Sequence, residues 1–182
     1  MELLENVPQL YVKGRYQNMT GSYEIKTING DLLMSGDCHY SNCGGWPEER
    51  FTIKHRDGSW AFELKGENTG CCSCSGGYLN TEVRSAYGDV IGFLKGGYSD
   101  ILLTTSSNDF LGQIYGGLFS TNKKIKLAGD ADFKGKLVYQ HHITCQKFLV
   151  IFPNGCPSNI RVLIVAAALE LVWKSIQDSS SG

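Results

Sequence analysis

The chain lacks an apolar segment long enough to cross a membrane. The strongest candidate, residues 162–173, contains Glu170 and lies between Arg161 and Lys174. As a helix it would be about 18 Å long, because a helix rises about 1.5 Å per residue, whereas the hydrocarbon core of a bilayer is about 30 Å thick. A helix that is apolar on every face must be surrounded by lipid or by protein. We therefore predict a helix over residues 160–176 that is buried inside the protein.

Excess charge of either sign is also lacking. The 182 residues carry a net charge of −1, which argues against a protein that coats nucleic acid, since phosphate binding needs a clear basic excess. The first ten residues contain Glu2 and Glu5 and show neither the apolar core of a signal peptide nor an arginine-rich transit sequence. Seven cysteines are an odd number, which disfavours a secreted disulfide framework. We expect a cytoplasmic protein with no nucleic-acid partner.

Motifs of the common enzyme classes are missing. The sequence has no Gly-x-Ser-x-Gly elbow, no phosphate-binding P-loop and no dinucleotide-binding fingerprint. A cysteine or serine nucleophile needs a base within hydrogen-bond reach and an orienting third group, and the four histidines do not suggest such a set. We expect that the protein is not an enzyme.

Short strands joined by tight turns account for most of the chain. With 22 glycines and only four prolines, the sequence alternates apolar and polar residues on both sides of Asn29-Gly30 and of Asp57-Gly58. The same arrangement recurs around Gly88-Asp89 and Asn108-Asp109. Such dipeptides tolerate the positive φ angles of hairpin turns. The pattern predicts a series of antiparallel hairpins.

The strands and the apolar helix together predict a closed antiparallel sheet around a central helix, because a run of hairpins can close around an element that must be enclosed. No linker of low complexity interrupts the chain, so we expect one domain over residues 1–177 and a disordered tail over residues 178–182. The side chains expected to fill the barrel are those of Val162, Leu163, Val165, Ala166, Leu169 and Trp173.

Four groups of motifs then follow one another along nearly the whole chain. The first group is QLYV at residues 9–12 with SYEIKTING at 22–30, and the second is DC at 37–38 and NCG at 42–44 with ERFTI at 49–53. The third is CCSC at 71–74 with EV at 82–83 and GDVIG at 88–92, and the fourth is FLVIFP at 148–153 with the helix of residues 161–173. Their order and spacing resemble the phospholipid scramblase family of the tubby-like superfamily.

The resemblance implies a fold and a function. The fold is a closed barrel of about twelve strands around a hydrophobic C-terminal helix, and the function is movement of phospholipids between the two leaflets of a membrane. In scramblases a segment before the Phe-Pro pair supplies carboxylates for calcium, but this chain has Thr144, Gln146 and Lys147 at those positions. Calcium prefers several oxygen ligands, of which some are usually anionic. We therefore do not expect calcium dependence.

Two interpretations of the cysteines remain open. Cys71, Cys72 and Cys74 occupy the place of the family's palmitoylated cysteine run, and acylation there would anchor the barrel to a bilayer. Plain exposed thiols are the alternative. A zinc site formed by Cys38, Cys43, Cys71 and Cys74 is a further hypothesis, although the Cys-x4-Cys spacing is not that of a standard zinc knuckle. Cys145 and Cys156 are predicted to be buried as small apolar residues.

A group of lysines suggests a second way to reach a membrane. Lys123, Lys124, Lys126, Lys134 and Lys136 fall within one stretch of sequence. A cationic patch can bind anionic lipid headgroups, and a solvated strand face is the alternative. In tubby proteins a basic surface binds phosphoinositides, which favours the lipid interpretation.

The sequence thus leads to three hypotheses. The first is a scramblase-like protein, peripheral to a membrane in the cytoplasm, with a phospholipid surface as its partner. The second is a lipid-binding or adaptor module that recognises phosphoinositides or other anionic phospholipids and transports nothing. The third is a protein-interaction domain stabilised by zinc.

Overall fold

The computed structural model describes residues 4–17, 20–41, 48–67, 78–116, 121–142 and 145–180. Within these ranges, twelve strands precede one long helix. The strands are β1 (Gln9–Gln17), β2 (Thr20–Thr27), β3 (Leu32–Ser41), β4 (Glu48–His55), β5 (Trp60–Glu67), β6 (Tyr78–Ser85), β7 (Val90–Gly97), β8 (Asp100–Thr104), β9 (Phe110–Tyr115), β10 (Asn122–Leu127), β11 (Gly135–His142) and β12 (Cys145–Ile151). The helix α1 is Ser158–Ser180.

The strands form a closed antiparallel barrel. Each strand pairs with its neighbours in the sequence, and β1 pairs with β12 to close the sheet, so that Leu10 lies opposite Val150. Side chains alternate between the interior and the outer wall, as in Leu79, Thr81 and Val83 of β6, which are buried between partly exposed neighbours. The prediction of an antiparallel barrel of about twelve strands is confirmed.

The helix α1 fills the interior of this barrel. It contacts both β1 and β7, which are six strands apart in the closed order and therefore lie on opposite sides. Every residue from Ile160 to Trp173 is buried. The side chains predicted to fill the barrel, Val162, Leu163, Val165, Ala166, Leu169 and Trp173, are all at most 3 % exposed. The prediction of an enclosed helix is confirmed.

Small residues bring the helix close to the wall. A Cβ atom built on Gly14 of β1 would lie 2.4 Å from Cγ1 of Val172, and one on Gly92 of β7 would lie 3.0 Å from Cδ1 of Leu163. Gly14 is therefore required by contact with the helix, whereas a Cβ atom on Gly92 would also lie 2.5 Å from the Thr104 carbonyl oxygen of the neighbouring strand β8.

The helix extends further than predicted at its end. It continues to Ser180, so residues 178–180, which we expected to begin a disordered tail, are helical. No glycine or proline lies between Arg161 and Ser180 to stop the helix.

One end of the barrel is formed by four similar hairpin turns, which join β2 to β3, β4 to β5, β6 to β7 and β8 to β9. The predicted turn residues Gly30, Gly58 and Gly88 have positive φ angles of 95°, 85° and 86°, and Asn108 takes the same role with a φ of 67°. We call this end the turn end. Because β12 also finishes there, α1 enters the barrel at the turn end.

A buried arginine closes the barrel where α1 enters. Arg161 donates hydrogen bonds from Nη1 to the carbonyl oxygens of Leu4 and Val7, both at 2.7 Å, and from Nε to that of Cys156 at 2.9 Å. Its guanidinium carbon also lies 4.8 Å from the centre of the Phe152 ring. These contacts tie the segment before β1 to the start of the helix.

Candidate membrane-binding site

The lysines of β10 and β11 lie on a wall in which inward and outward positions alternate. Lys124 and Lys136 are exposed on the outer surface and are direct cross-strand partners. Lys126 lies further along β10, opposite Gln113 of β9, and is partly exposed. Among the described residues, Lys124 and Lys136 form no ion pair. Two uncompensated cations therefore face outward side by side.

Lys123 does not belong to this surface. It is only 7 % exposed and lies on the same side of β10 as the fully buried Ile125. Burial lowers the pKa of the Lys123 ammonium below its ordinary value. The prediction that Lys123 contributes to a lipid-binding patch is therefore wrong, because consecutive residues of a strand point to opposite faces.

Lys134 differs from the other outward lysines because it has a carboxylate partner. It precedes β11 and is exposed, and its Nζ atom lies 2.6 Å from Oδ1 of Asp130. The ion pair partly neutralises its charge. The predicted group of five lysines thus becomes three outward cations, one paired cation and one buried cation.

Two exposed aromatic rings lie beside the outward lysines. Tyr115 of β9 is the cross-strand partner of Lys124, and its ring centre lies 6.2 Å from that of Phe133. Both rings are exposed. The sequence does not predict that they are close, because their proximity depends on the pairing register of β9 and β10 and on the path of the chain before β11. We call Lys124, Lys126, Lys136, Tyr115 and Phe133 the lysine patch.

The segment that replaces the calcium-binding motif lies on β12. The Tyr139 hydroxyl donates a hydrogen bond to Oε1 of Gln146, and the Lys147 ammonium lies 3.5 Å from the centre of the Tyr11 ring. Thr144 lies outside the described residues. The amide of Gln146 therefore contacts a ring that packs against the core, while the cation of Lys147 lies over the partly exposed ring of Tyr11.

Most of the cysteines on which acylation and zinc binding would depend cannot be placed in the structure. Cys43, Cys71, Cys72 and Cys74 all lie outside the described residues, so acylation and zinc binding stay predictions. Cys38 is fully buried in the interior. Across the described ranges, no group of three or more histidine, cysteine or acidic side chains is arranged to hold a metal ion.

Cys145 and Cys156 are buried, as predicted. Burial raises the pKa of the Cys156 thiol to about 11, although the nearby Arg161 guanidinium acts in the opposite direction. A thiol with this pKa stays protonated at neutral pH and is a poor nucleophile. Cys156 is therefore a structural residue.

The acidic residue of the central helix is held by the barrel wall. Glu170 is 1 % exposed, and its Oε1 atom accepts a hydrogen bond of 2.7 Å from the buried Thr81 hydroxyl of β6. This contact joins residues that are 89 positions apart. A buried carboxylate is costly unless it is hydrogen-bonded, so the contact helps to fix how α1 sits in the barrel.

No protein-family model matches the chain, and no curated protein gives a significant match to it. Among the described residues, no helix combines the length and the apolar character that crossing a bilayer requires.

Proposed function

We propose that this protein is a scramblase-like barrel that binds the surface of membranes rich in anionic phospholipid through its lysine patch. The observation that carries the proposal is the pairing of Lys124 with Lys136 on the outer wall. Like charges directly opposite each other destabilise a sheet, so an external anion that lies between them would relieve the repulsion. The motif order that resembles the scramblase family supports a phospholipid as the source of that anion.

The exposed rings support a lipid surface over a free anion. Aromatic side chains are enriched at membrane interfaces, where their apolar part contacts the acyl boundary. Tyr115 lies directly opposite Lys124, and the Phe133 ring lies 6.2 Å from that of Tyr115. Cations beside two exposed rings suit a phospholipid bilayer, whose anionic headgroups lie above an apolar acyl layer.

Transport of phospholipid is the activity that the family resemblance implies, and we place it second. The interior of the barrel is occupied by α1, so headgroups would have to pass along the outer wall. Dithionite bleaching of labelled lipid in proteoliposomes tests this step, with and without calcium. Bleaching of the inner leaflet at the rate of protein-free vesicles would leave binding as the function.

Co-sedimentation with vesicles tests the binding. Each lysine near an anionic surface contributes about 1 kcal/mol, so the double variant Lys124→Met/Lys136→Met should bind phosphatidylserine-containing vesicles about 25-fold more weakly. Added salt should weaken binding of the wild type, because it screens exposed charges.

Two lysines provide matched controls for this experiment. Lys123→Met removes the neighbouring but buried cation, and Lys65→Met removes an exposed cation of β5, which lies six strands from β11 on the opposite wall. Both variants should bind vesicles as the wild type does. Equal affinity of the double variant and the wild type would refute the lysine patch as the binding site.

A further inference from the structure

The turn end carries a row of exposed apolar side chains. Ile28 lies in the β2–β3 turn, Trp60 follows the β4–β5 turn, Tyr87 and Val90 lie in and after the β6–β7 turn, and Phe110 follows the β8–β9 turn. Tyr87 is 94 % exposed and Trp60 is 52 % exposed. Four successive hairpins therefore each present at least one large apolar side chain at the same end. We call these five residues the turn-end rim.

The turns that carry the rim are firmly held. In the β2–β3 turn, the Thr27 hydroxyl accepts a hydrogen bond from the amide of Asp31 and donates one to its carboxylate. Thr105 and Asp109 make the same pair of contacts in the β8–β9 turn. These hydrogen bonds support the conformation of the two turns that carry or precede Ile28 and Phe110.

The spacing of the rim distinguishes between kinds of partner. Neighbouring strands are about 4.8 Å apart, so successive hairpins are separated by roughly 10 Å. The core of a protein interface is closely packed and continuous, whereas this row consists of single side chains on separate tips. A bilayer interface accepts separate apolar side chains, and tryptophan, tyrosine and phenylalanine are the types that suit it.

Cationic side chains are not in excess at the turn end. Asp31, Asp57, Asp89 and Asp109 lie in the four turns, while Lys54, Arg56 and Arg84 lie beside them. Asp57 accepts hydrogen bonds from the amide and hydroxyl of Ser59, which lower the pKa of its carboxyl group. Since cations do not outnumber acidic groups there, contact at the rim depends on apolar insertion rather than on attraction to anionic lipid.

The rim also adjoins the lysine patch. The connection from β10 to β11 lies at the turn end beside the β8–β9 hairpin, and it leads directly from Lys126 to Phe133. A membrane that contacts the turn end would therefore also come close to Lys126 and Phe133, which are the members of the lysine patch nearest to that end.

We propose that the protein docks end-on to phospholipid bilayers by inserting the turn-end rim into the interface. This contact goes beyond the lysine patch, because it requires no anionic lipid. It predicts binding to vesicles of phosphatidylcholine alone, and this binding should be insensitive to salt.

The first test compares matched variants on phosphatidylcholine vesicles. Trp60→Gln/Tyr87→Gln/Phe110→Gln should lower affinity at least about tenfold, because insertion scales with buried apolar area. Tyr78→Gln is the control, since Tyr78 is 63 % exposed at the opposite end of the barrel, and it should have no effect. Equal affinities of the triple variant and the wild type, or an equal loss in the control, would overturn the proposal.

The second test measures the environment of Trp60 directly. In a Trp46→Phe background, the remaining tryptophans are Trp60 and the buried Trp173. Vesicles should shift the emission to shorter wavelength, and brominated lipids should quench it. An unchanged spectrum on bound protein would refute insertion.

The effects of removing the lysine patch and of removing the turn-end rim can be distinguished by the vesicles used. Loss of the lysine patch affects only anionic vesicles in a salt-dependent way, whereas loss of the rim affects phosphatidylcholine vesicles. Size-exclusion chromatography tests whether the partner of the rim is instead a second copy of the chain. A wild-type dimer that becomes monomeric in the triple variant would make the rim an interface between two copies and overturn bilayer insertion.

Discussion

Lys123 and Lys124 are neighbours in the sequence with opposite environments. The first lies inside the barrel wall and the second faces solvent beside Lys136. Lys123 forms no ion pair with any residue that the structure describes, and a buried cation without such a partner carries a desolvation cost. The same residue type therefore carries a cost to the fold at one position and is available on the outer surface at the next.

Replacement of Lys123 by methionine should stabilise the protein. The change removes the desolvation cost and keeps the side-chain volume, so the free energy of unfolding should rise by about 1 kcal/mol. Urea unfolding of the two proteins measures it. A fall in stability of similar size would show that the Lys123 ammonium has a favourable contact.

The pH dependence of stability provides an independent check on Lys123. Its pKa is lower in the folded protein than the ordinary 10.5 of the unfolded chain, so the unfolded chain binds more protons just below that pH. The cost of the buried charge is full at neutral pH and falls as the pH rises through the folded pKa. The advantage of the methionine variant should therefore shrink as the pH approaches 10.5.

At the scale of single elements, the fit between α1 and β1 is close. A Cβ atom on Gly14 would meet Val172 at 2.4 Å, Tyr23 at 3.0 Å and Ile176 at 3.2 Å. The wall and the helix are both held by other contacts, including the bond between Thr81 and Glu170. Neither element has room to move away.

Gly14→Ala should therefore destabilise the protein by about 1–3 kcal/mol, the usual cost of overpacking a core. Thermal unfolding measures the change. Gly97→Ala in β7 is the matched control, because its Cβ would have only the Ser99 hydroxyl nearby, at 3.8 Å, and it should be neutral or slightly stabilising. Equal stability of Gly14→Ala and wild type would show that the helix can shift.

The elements that could be predicted from the sequence are those with local signals. The four turns of the turn end were predicted because glycine or asparagine marks each of them, and α1 was predicted from its continuous apolar character. The inward position of Lys123 was also within reach, since Lys123, Ile125 and Leu127 alternate along β10. The adjacency of Tyr115 and Phe133 was not, because it depends on a pairing register that no local signal sets.

The contact between Glu170 and Thr81 was equally out of reach. Its partners are 89 positions apart, and the sequence identifies only a carboxylate in an apolar helix. Which wall residue meets it depends on the rotation of α1 inside the closed sheet.

At the scale of the whole molecule, closure of the sheet leaves no free edge among the described strands. The first and last strands pair with each other through residues such as Leu10 and Val150. Amides of β1 and β12 should therefore resist hydrogen exchange as strongly as those of β7, opening only on global unfolding. Hydrogen exchange under native conditions measures this, and much faster exchange in β1 or β12 would show that the seam opens by itself.

The placement of α1 inside the barrel also bears on synthesis. The helix follows all twelve strands in the sequence, so a ribosome produces the wall before the element that fills it. Until α1 emerges, the inner faces of the strands have nothing to cover them, and exposed strands of this kind are prone to aggregate. We therefore expect the nascent chain to stay exposed to aggregation for longer than a protein whose core is made first.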